Sequence, residues 1–261
     1  MNPMLVALVA FVLAAVGILL GRLTQRWVPE GHLSSDSKEV IKLSMGVVAT
    51  LAALVLGLLV ASAKSTYGAR ESEINQITAY TILLDKLLAQ YGDGADTARV
   101  SLRQAISPMV NQIWKEARSV PLQSLPFKPT AEGEAFYQRV QDLQPTNDTE
   151  RGLKDRITQL ATDLAQARLV LFSNLASSIP SPFLAVLLLW MIILLTGFSL
   201  MAPANATTFA ALLVCALSVS AAIFLILELD QPFSGIMSIN SEPLRNALLP
   251  LSAHAHAGGY Q

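Results

Sequence analysis

At 52% hydrophobic and only 14% charged residues, this 261-residue chain is too apolar for an ordinary soluble domain. Its formal net charge of −1 gives no sign of a nucleic-acid partner, and none is expected. One cysteine, Cys215, permits no disulfide framework.

The apolar residues gather into four blocks close to the length of about 20 residues that a helix needs to cross a bilayer. They run from Met4 to Gly21, Leu43 to Ala63, Phe183 to Met201 and Phe209 to Leu229. A cleaved signal peptide is the alternative for the first block, but no Lys or Arg precedes it to form a basic n-region. After the second block no proline appears before Tyr91, which predicts one helix from about Leu43 to Tyr91. Its outer part would project roughly 40 Å, with an apolar stripe at Ile74, Ile77, Leu84, Leu87 or Leu88, and Tyr91. The tripeptide GDG at 92–94 ends it. A second helix is predicted over about Asp96 to Arg118, kinked at Pro108, then a proline-bearing loop and a short helix over about Ala131 to Gln144. NDTE at 147–150 starts the last helix of this region, with Asn147 as cap and Glu150 three residues on. That helix runs to about Ser178 with a heptad-like stripe at Leu153, Ile157, Leu160, Leu164, Ala167 and Leu171. The two striped helices should pair antiparallel.

No charged residue falls between Leu169 and Leu227, so the third and fourth blocks form a hairpin. MAPANATT joins them, with Pro203 and Asn205 in the turn and Asn205 or Thr207 as helix cap. The reading is therefore an all-α integral membrane protein, multi-pass in the lipid bilayer, with four transmembrane helices and a helical extramembrane domain between the second and third. Residues 1–63 hold spans 1 and 2, 64–180 the helical domain, 181–230 spans 3 and 4, and 231–261 a C-terminal motif and tail. The basic residues flanking the spans tie: Arg22, Arg26, Lys38 and Lys42 on one side, Lys64, Arg70, Arg168 and Arg245 on the other.

Small residues let transmembrane helices approach closely. Span 1 carries Ala7, Ala10, Ala14, Gly17 and Gly21 on one face, and span 4 carries Ala211, Cys215, Ser218 and Ala222. Span 3 has almost none, so it is expected against lipid with spans 1, 2 and 4 inward. The small face of span 2, Gly46, Thr50, Ala53, Gly57, Ala61 and Lys64, reads either as helix packing or as the lining of a narrow pore built from several copies. The stretch ILELDQPFSGIMS raises a separate question. Glu228 and Asp230 sit where a helix end is already partially negative. Pro232 and Gly235 mark a turn and Phe233 a wedge, so the two carboxylates read as a structural clasp or as a ring around an ion path.

The stretch GFSLMAPANATTFAALLVCALSVSAAIFLILELDQPFSGIMSINSEPLRNAL, with ARLVLFSNLASSIPSPFLAVLLLW and AKSTYGARESEINQI, resembles a bacterial bestrophin-like membrane family over nearly the whole chain. Bestrophins proper are pentameric anion channels with four spans per subunit and a cytosolic helical domain. The resemblance implies a homo-oligomer, five subunits first and four second, in the bacterial inner membrane, with 64–180 cytoplasmic. No residue-level site carries over: neither a calcium clasp nor an aromatic pore neck maps onto this sequence, and span 2 is rich in Gly and Ala where such a neck would stand.

Two functions follow as expectations. One is an oligomeric ion channel or pore, with anions as its ions by resemblance alone. The other is a non-conducting membrane scaffold or signalling protein whose helical domain binds a soluble partner. An enzyme is not expected, since no catalytic residues, phosphate loop, metal ligands or cofactor site can be picked out. His254 and His256 in the tail AHAHAGGYQ read as a terminal segment rather than a metal pair.

Overall fold

In the computed structural model, residues 2–25, 27, 35–116, 131–175, 181–203 and 205–249 are described. The tail histidines, Arg26, and the loops at 28–34, 117–130 and 176–180 lie outside them. The elements are α1 (Pro3–Gln25), α2 (Ser35–Tyr91), α3 (Asp96–Asn111), α4 (Ala131–Gln141), α5 (Asp148–Leu175), α6 (Ser181–Met201), α7 (Ala206–Leu229) and α8 (Glu242–Ala247). A 3₁₀ turn at Asp93–Ala95 and a π turn at Gln112–Glu116 complete the set, so every regular element described is helical. Four helices, α1, α2, α6 and α7, are long and apolar enough to cross a membrane. The chain divides into two compact units, Met1–Thr66 with Ile179–Asp230 and Tyr67–Ser178 with Gln231–Gln261.

In the first unit, α1 lies parallel to α6. Ser199 Oγ donates to Ile18 O at 2.6 Å, and Gln25 Nε2 donates to Ala202 O at 3.4 Å. The small face of α1 makes this possible. A Cβ on Gly21 would stand 2.3 Å from Thr196 O, and one on Gly17 3.0 Å from Thr196 Oγ1. The α6 residues that face these glycines are Ile192, Thr196, Ser199 and Leu200, and Leu187, Met191, Leu195 and Ser199 of α6 are buried. Span 3 is therefore buried along one edge, whereas its lack of small residues predicts a helix turned to lipid. Only one partner in a close helix pair needs small residues, and α1 supplies them. The other side of α6, with Phe183, Val186, Leu189 and Ile193, is exposed. At the same end of α1, Arg22 Nη2 donates to Asn205 O at 3.2 Å and its guanidinium stands 4.9 Å from the Phe209 ring. Asn205 caps α7 by accepting from Thr208 N at 2.8 Å, so of the two candidate caps the asparagine acts.

In the second unit, the outer part of α2 pairs antiparallel with α5. Arg70 Nη2 donates to Asn174 O at 3.1 Å, and Asn174 Nδ2 donates to Glu73. Further along, Glu73, Gln76 and Tyr80 share a cleft with Asp163, Gln166, Ala167 and Val170. At the far end burial, and secondarily the Glu150 carboxylate, push the Tyr91 phenol above its usual value. The expected stripes form this core: Ile74, Ile77, Leu84 and Leu88 against Ile157, Leu160, Leu164, Ala167 and Leu171. Gly92, at φ 98, ends α2 in a conformation that a side chain would resist. Asp85 then holds α3, accepting from Arg99 Nε at 2.9 Å and Nη2 at 2.7 Å. Pro108 stands inside α3, which widens into the π turn at Gln112.

The cap of α5 forms as a variant of the capping box, with Glu150 reaching the amide one residue before the cap. Asn147 Oδ1 accepts from Glu150 N at 2.8 Å, while Glu150 accepts from Thr146 N at 2.6 Å and Asn147 Nδ2 at 2.9 Å. These bonds, the Thr146 amide first, hold the Glu150 carboxyl below its ordinary range. A lowered folded-state value means that the cap contributes fully at neutral pH and weakens as pH falls through that value.

Two outcomes test this packing. Gly21→Ala should overpack the α1–α6 contact and lower stability by about 1–3 kcal/mol, while Gly46→Ala, whose Cβ meets nothing within 4 Å, should leave the melting temperature nearly unchanged. Asp85→Ala should cost about 3–5 kcal/mol by leaving the buried Arg99 guanidinium unpaired, read as a fall in the denaturation midpoint.

Candidate functional site

Three sides of α2 can be told apart in the first unit. Its packed edge holds Met45, Leu59 and Ala63, all buried, with Ala52, Val55 and Leu56 beside them. A second side carries Val40, Leu43, Val47, Leu51, Leu54 and Leu58, all exposed. Between these lies the small face predicted from the sequence. At roughly 100° per residue, positions 46, 50, 53, 57, 61 and 64 fall within a sector of about 80°. All six of Gly46, Thr50, Ala53, Gly57, Ala61 and Lys64 are exposed. A Cβ on Gly46 or Gly57 would meet no neighbour within 4 Å. Thr50 Oγ1 donates to Gly46 O at 2.9 Å, which leaves the hydroxyl oxygen free to accept from outside. Lys64, at the end of the stripe, makes no ion pair among the described residues. The small stripe of span 4 is open as well, with Ala211, Cys215 and Ser218 exposed. The small face of span 1 is the one that the chain itself covers.

The carboxylates close α7. Asp230 caps it, its N–H donating to Ile226 O at 3.2 Å. Glu228 is 3% exposed, whereas Asp230 is half-buried. Both are engaged in interactions. The residues lie about 200° apart around the helix, so they leave it on different sides. Glu228 is the more deeply buried of the two.

The remainder of the motif belongs to the second unit. Pro232 is buried and Phe233 is 1% exposed. Phe233 meets Trp114 edge to face, ring centroids 5.3 Å apart at 82°. Trp114 Nε1 donates to Ile239 O at 2.9 Å. Gly235 adopts φ 93. The wedge expected of Phe233 is thus a core contact of the helical unit. The sequence reading did not single out Trp114 or the helix α8, although Pro243 directly after Glu242 is a helix-start signal. Among the described residues no group of three or more His, Cys, Asp or Glu side chains is placed to hold a metal.

Apolar helices, a fully helical second unit and an open small face define an all-helical protein of membrane type. The chain belongs to the bestrophin-like family, whose domain matches residues 6–244. Its fold is similar to crystal structures of a bacterial bestrophin homologue from Klebsiella pneumoniae. One phased on zinc is 12% identical with a TM-score of 0.68, covering 95% of this chain and 98% of that one. A leucine-to-threonine variant is 13% identical with a TM-score of 0.67, covering 98% and 99%. At such identity the likeness speaks for the fold alone. No curated protein matches the chain.

Removing one buried carboxylate should separate the pair. Glu228→Gln should lower stability by about 1–3 kcal/mol, because it alters a hydrogen-bonding side chain with almost no access to water. Asp230→Asn should lower it less. Melting curves of the two variants in one detergent give the order, and a larger loss in Asp230→Asn would reverse the assignment.

Proposed function

We propose that this chain assembles as a homo-oligomer, five copies first and four second, and conducts ions across the bacterial inner membrane. The observation that carries this reading is the open face of α2. Gly46, Thr50, Ala53, Gly57, Ala61 and Lys64 are turned away from the rest of their own unit, and one chain has too few spans to enclose a path. Several copies placed around an axis would bring these faces together as the lining. Family membership supports the same reading, and anions as the conducted ions rest on the resemblance alone. The helical domain at 64–180 is assigned to the cytoplasm on that resemblance. Glu228 and Asp230, with Pro232, Phe233 and Gly235, act in this reading as a structural motif more than as an ion ring, because Glu228 and Phe233 are buried.

A second reading, a non-conducting scaffold, draws on the helical unit. Ile82, Leu83, Leu169 and Val170 are exposed there, which suits a soluble protein partner.

Ion flux from liposomes under a defined gradient separates the two. The wild-type chain should release ions, and Gly57→Leu should abolish release by filling the path. Its single-chain stability should change by no more than about 0.5 kcal/mol, since the site is open. Leu189→Ala, on the exposed side of α6, is the neutral control. Flux in Gly57→Leu equal to wild type would remove α2 from the path. A wild-type protein without flux that captures a partner through residues 82, 83, 169 and 170 would favour the scaffold.

A further inference from the structure

The two long helices of the second unit leave charges unmatched on opposite flanks. On one flank Glu73 and Asp163 line the α2–α5 cleft with Gln76, Tyr80, Gln166 and Val170, and no Lys or Arg lines it. One oxygen of Glu73 accepts from Asn174 Nδ2, while Oε2 is buried without a hydrogen-bond partner. Asp163 makes no ion pair among the described residues. On the other flank stands Arg168. Its Nε is also buried without a partner, and it too makes no ion pair among the described residues. Burial holds its guanidinium below the usual arginine value. A charge held partly out of water without a counter-charge is costly, and buried polar atoms in folded proteins nearly always find partners. The unmet atoms on both flanks therefore call for groups from outside the single chain.

At roughly 100° per residue, Asp163 and Arg168 lie about 140° apart around α5. They stand on either side of its buried line of Ile157, Leu160, Leu164 and Leu171, so they do not meet within one chain. At 1.5 Å per residue, Arg168 is about 7.5 Å beyond Asp163 and about 9 Å before Asn174, the residue that holds Glu73. The cation thus sits at a height between the two carboxylates, on the flank that lacks them. Exposed apolar side chains are divided in the same way. Leu169, 51% exposed, adjoins Arg168, and Val170, 41% exposed, lines the cleft. A rotation axis along the helix pair keeps every copy at one height and sets one flank of a copy against the opposite flank of the next. We propose that the helical units of neighbouring copies dock in this way, with Arg168 of one copy entering the cleft between Glu73 and Asp163 of the next and Leu169 covering Val170. A second copy is the occupant because the complementary charge stands on the same helix at the matching height. The docking rests on the homo-oligomer proposed above and not on conduction.

The experiment co-expresses two differently tagged full chains with Cys215→Ala, one carrying Leu169→Cys and the other Val170→Cys. A short bifunctional thiol reagent should give a covalent dimer bearing both tags. Val170→Cys paired with Lys86→Cys, exposed on α2 opposite its buried stripe, should give none. Adding Arg168→Glu to the Leu169→Cys chain should remove most of the two-tag dimer, and adding Asp163→Arg to the other chain should bring it back, because like charges then give way to opposite ones. The mass of each sample by light scattering separates the failures. A monomeric wild-type sample would overturn the homo-oligomer and this docking together. An oligomeric sample without the two-tag dimer would overturn the docking alone. So would same-tag dimers in equal yield, which mean that like flanks meet, and so would a two-tag dimer that Arg168→Glu leaves unchanged.

Discussion

Inside hydrocarbon no water satisfies a backbone N–H or C=O, so each span must bond its own peptide groups. The consequences reach beyond the choice of helix. The hydroxyls of Thr24, Ser44, Thr50, Thr196, Ser218 and Ser220 also donate to carbonyls three or four residues back on their own helices. Ser199 is different, donating across to Ile18 O. With so much hydrogen bonding kept within each helix, contact between spans depends mainly on shape. Shape explains why four of the five buried residues of α1 are Ala10, Ala14, Gly17 and Gly21, Ile18 being the fifth, and why the large side chains of α6 are their counterparts. Dispersion contacts between lipid and helix are about as good as those between two helices, so adhesion must come from an unusually close approach. The Gly21 contact with Thr196 is the closest that the glycines show.

The same reasoning makes α2 the unsaturated element. Its helix runs for 57 residues because no proline intervenes and no left-handed residue occurs before Gly92. Yet in the membrane-type unit only one edge is buried, and the Gly and Ala positions that allow closest approach are left open. An open small face in lipid makes fewer contacts than a large one. A protein gains from it when a second backbone, or a file of solvent and ions, comes close. That difference between α1, whose small face is used, and α2, whose small face is not, is the physical ground for the oligomeric reading proposed above.

Much of the fold was legible in the sequence, for identifiable reasons. Long uncharged blocks, the proline-free run to Tyr91, GDG and the NDTE box each act through local backbone chemistry, and each appears where that chemistry places it. The antiparallel pair of α2 and α5 followed from two stripes of matching period. The side of α6 that would be buried was not legible, because residue size on one helix does not reveal the size of its neighbour. Nor was the role of Trp114, which depends on a partner, Phe233, more than a hundred residues away in the chain. The candidate small face could be enumerated from the sequence. Its exposure depended on knowing what surrounds it.

Two carboxylates at the end of an apolar helix can now be weighed. Each opposes the helix dipole by about 0.3–1 kcal/mol, so neither is there to stabilise α7 as a helix. Glu228 bears the further cost of burial, which a charge tolerates only when other groups compensate it. Directly after the pair the backbone is committed: Gln231 precedes a buried proline, and Phe233 enters the core of the helical unit two residues beyond the junction. Local preference and tertiary structure therefore disagree over residues 228–230 and agree again from Pro232 onward. Such a disagreement persists only where the surrounding fold offsets it, and it concentrates at places that constrain structure or carry function. In this chain it falls at the last turn of α7, where one compact unit ends and the other begins.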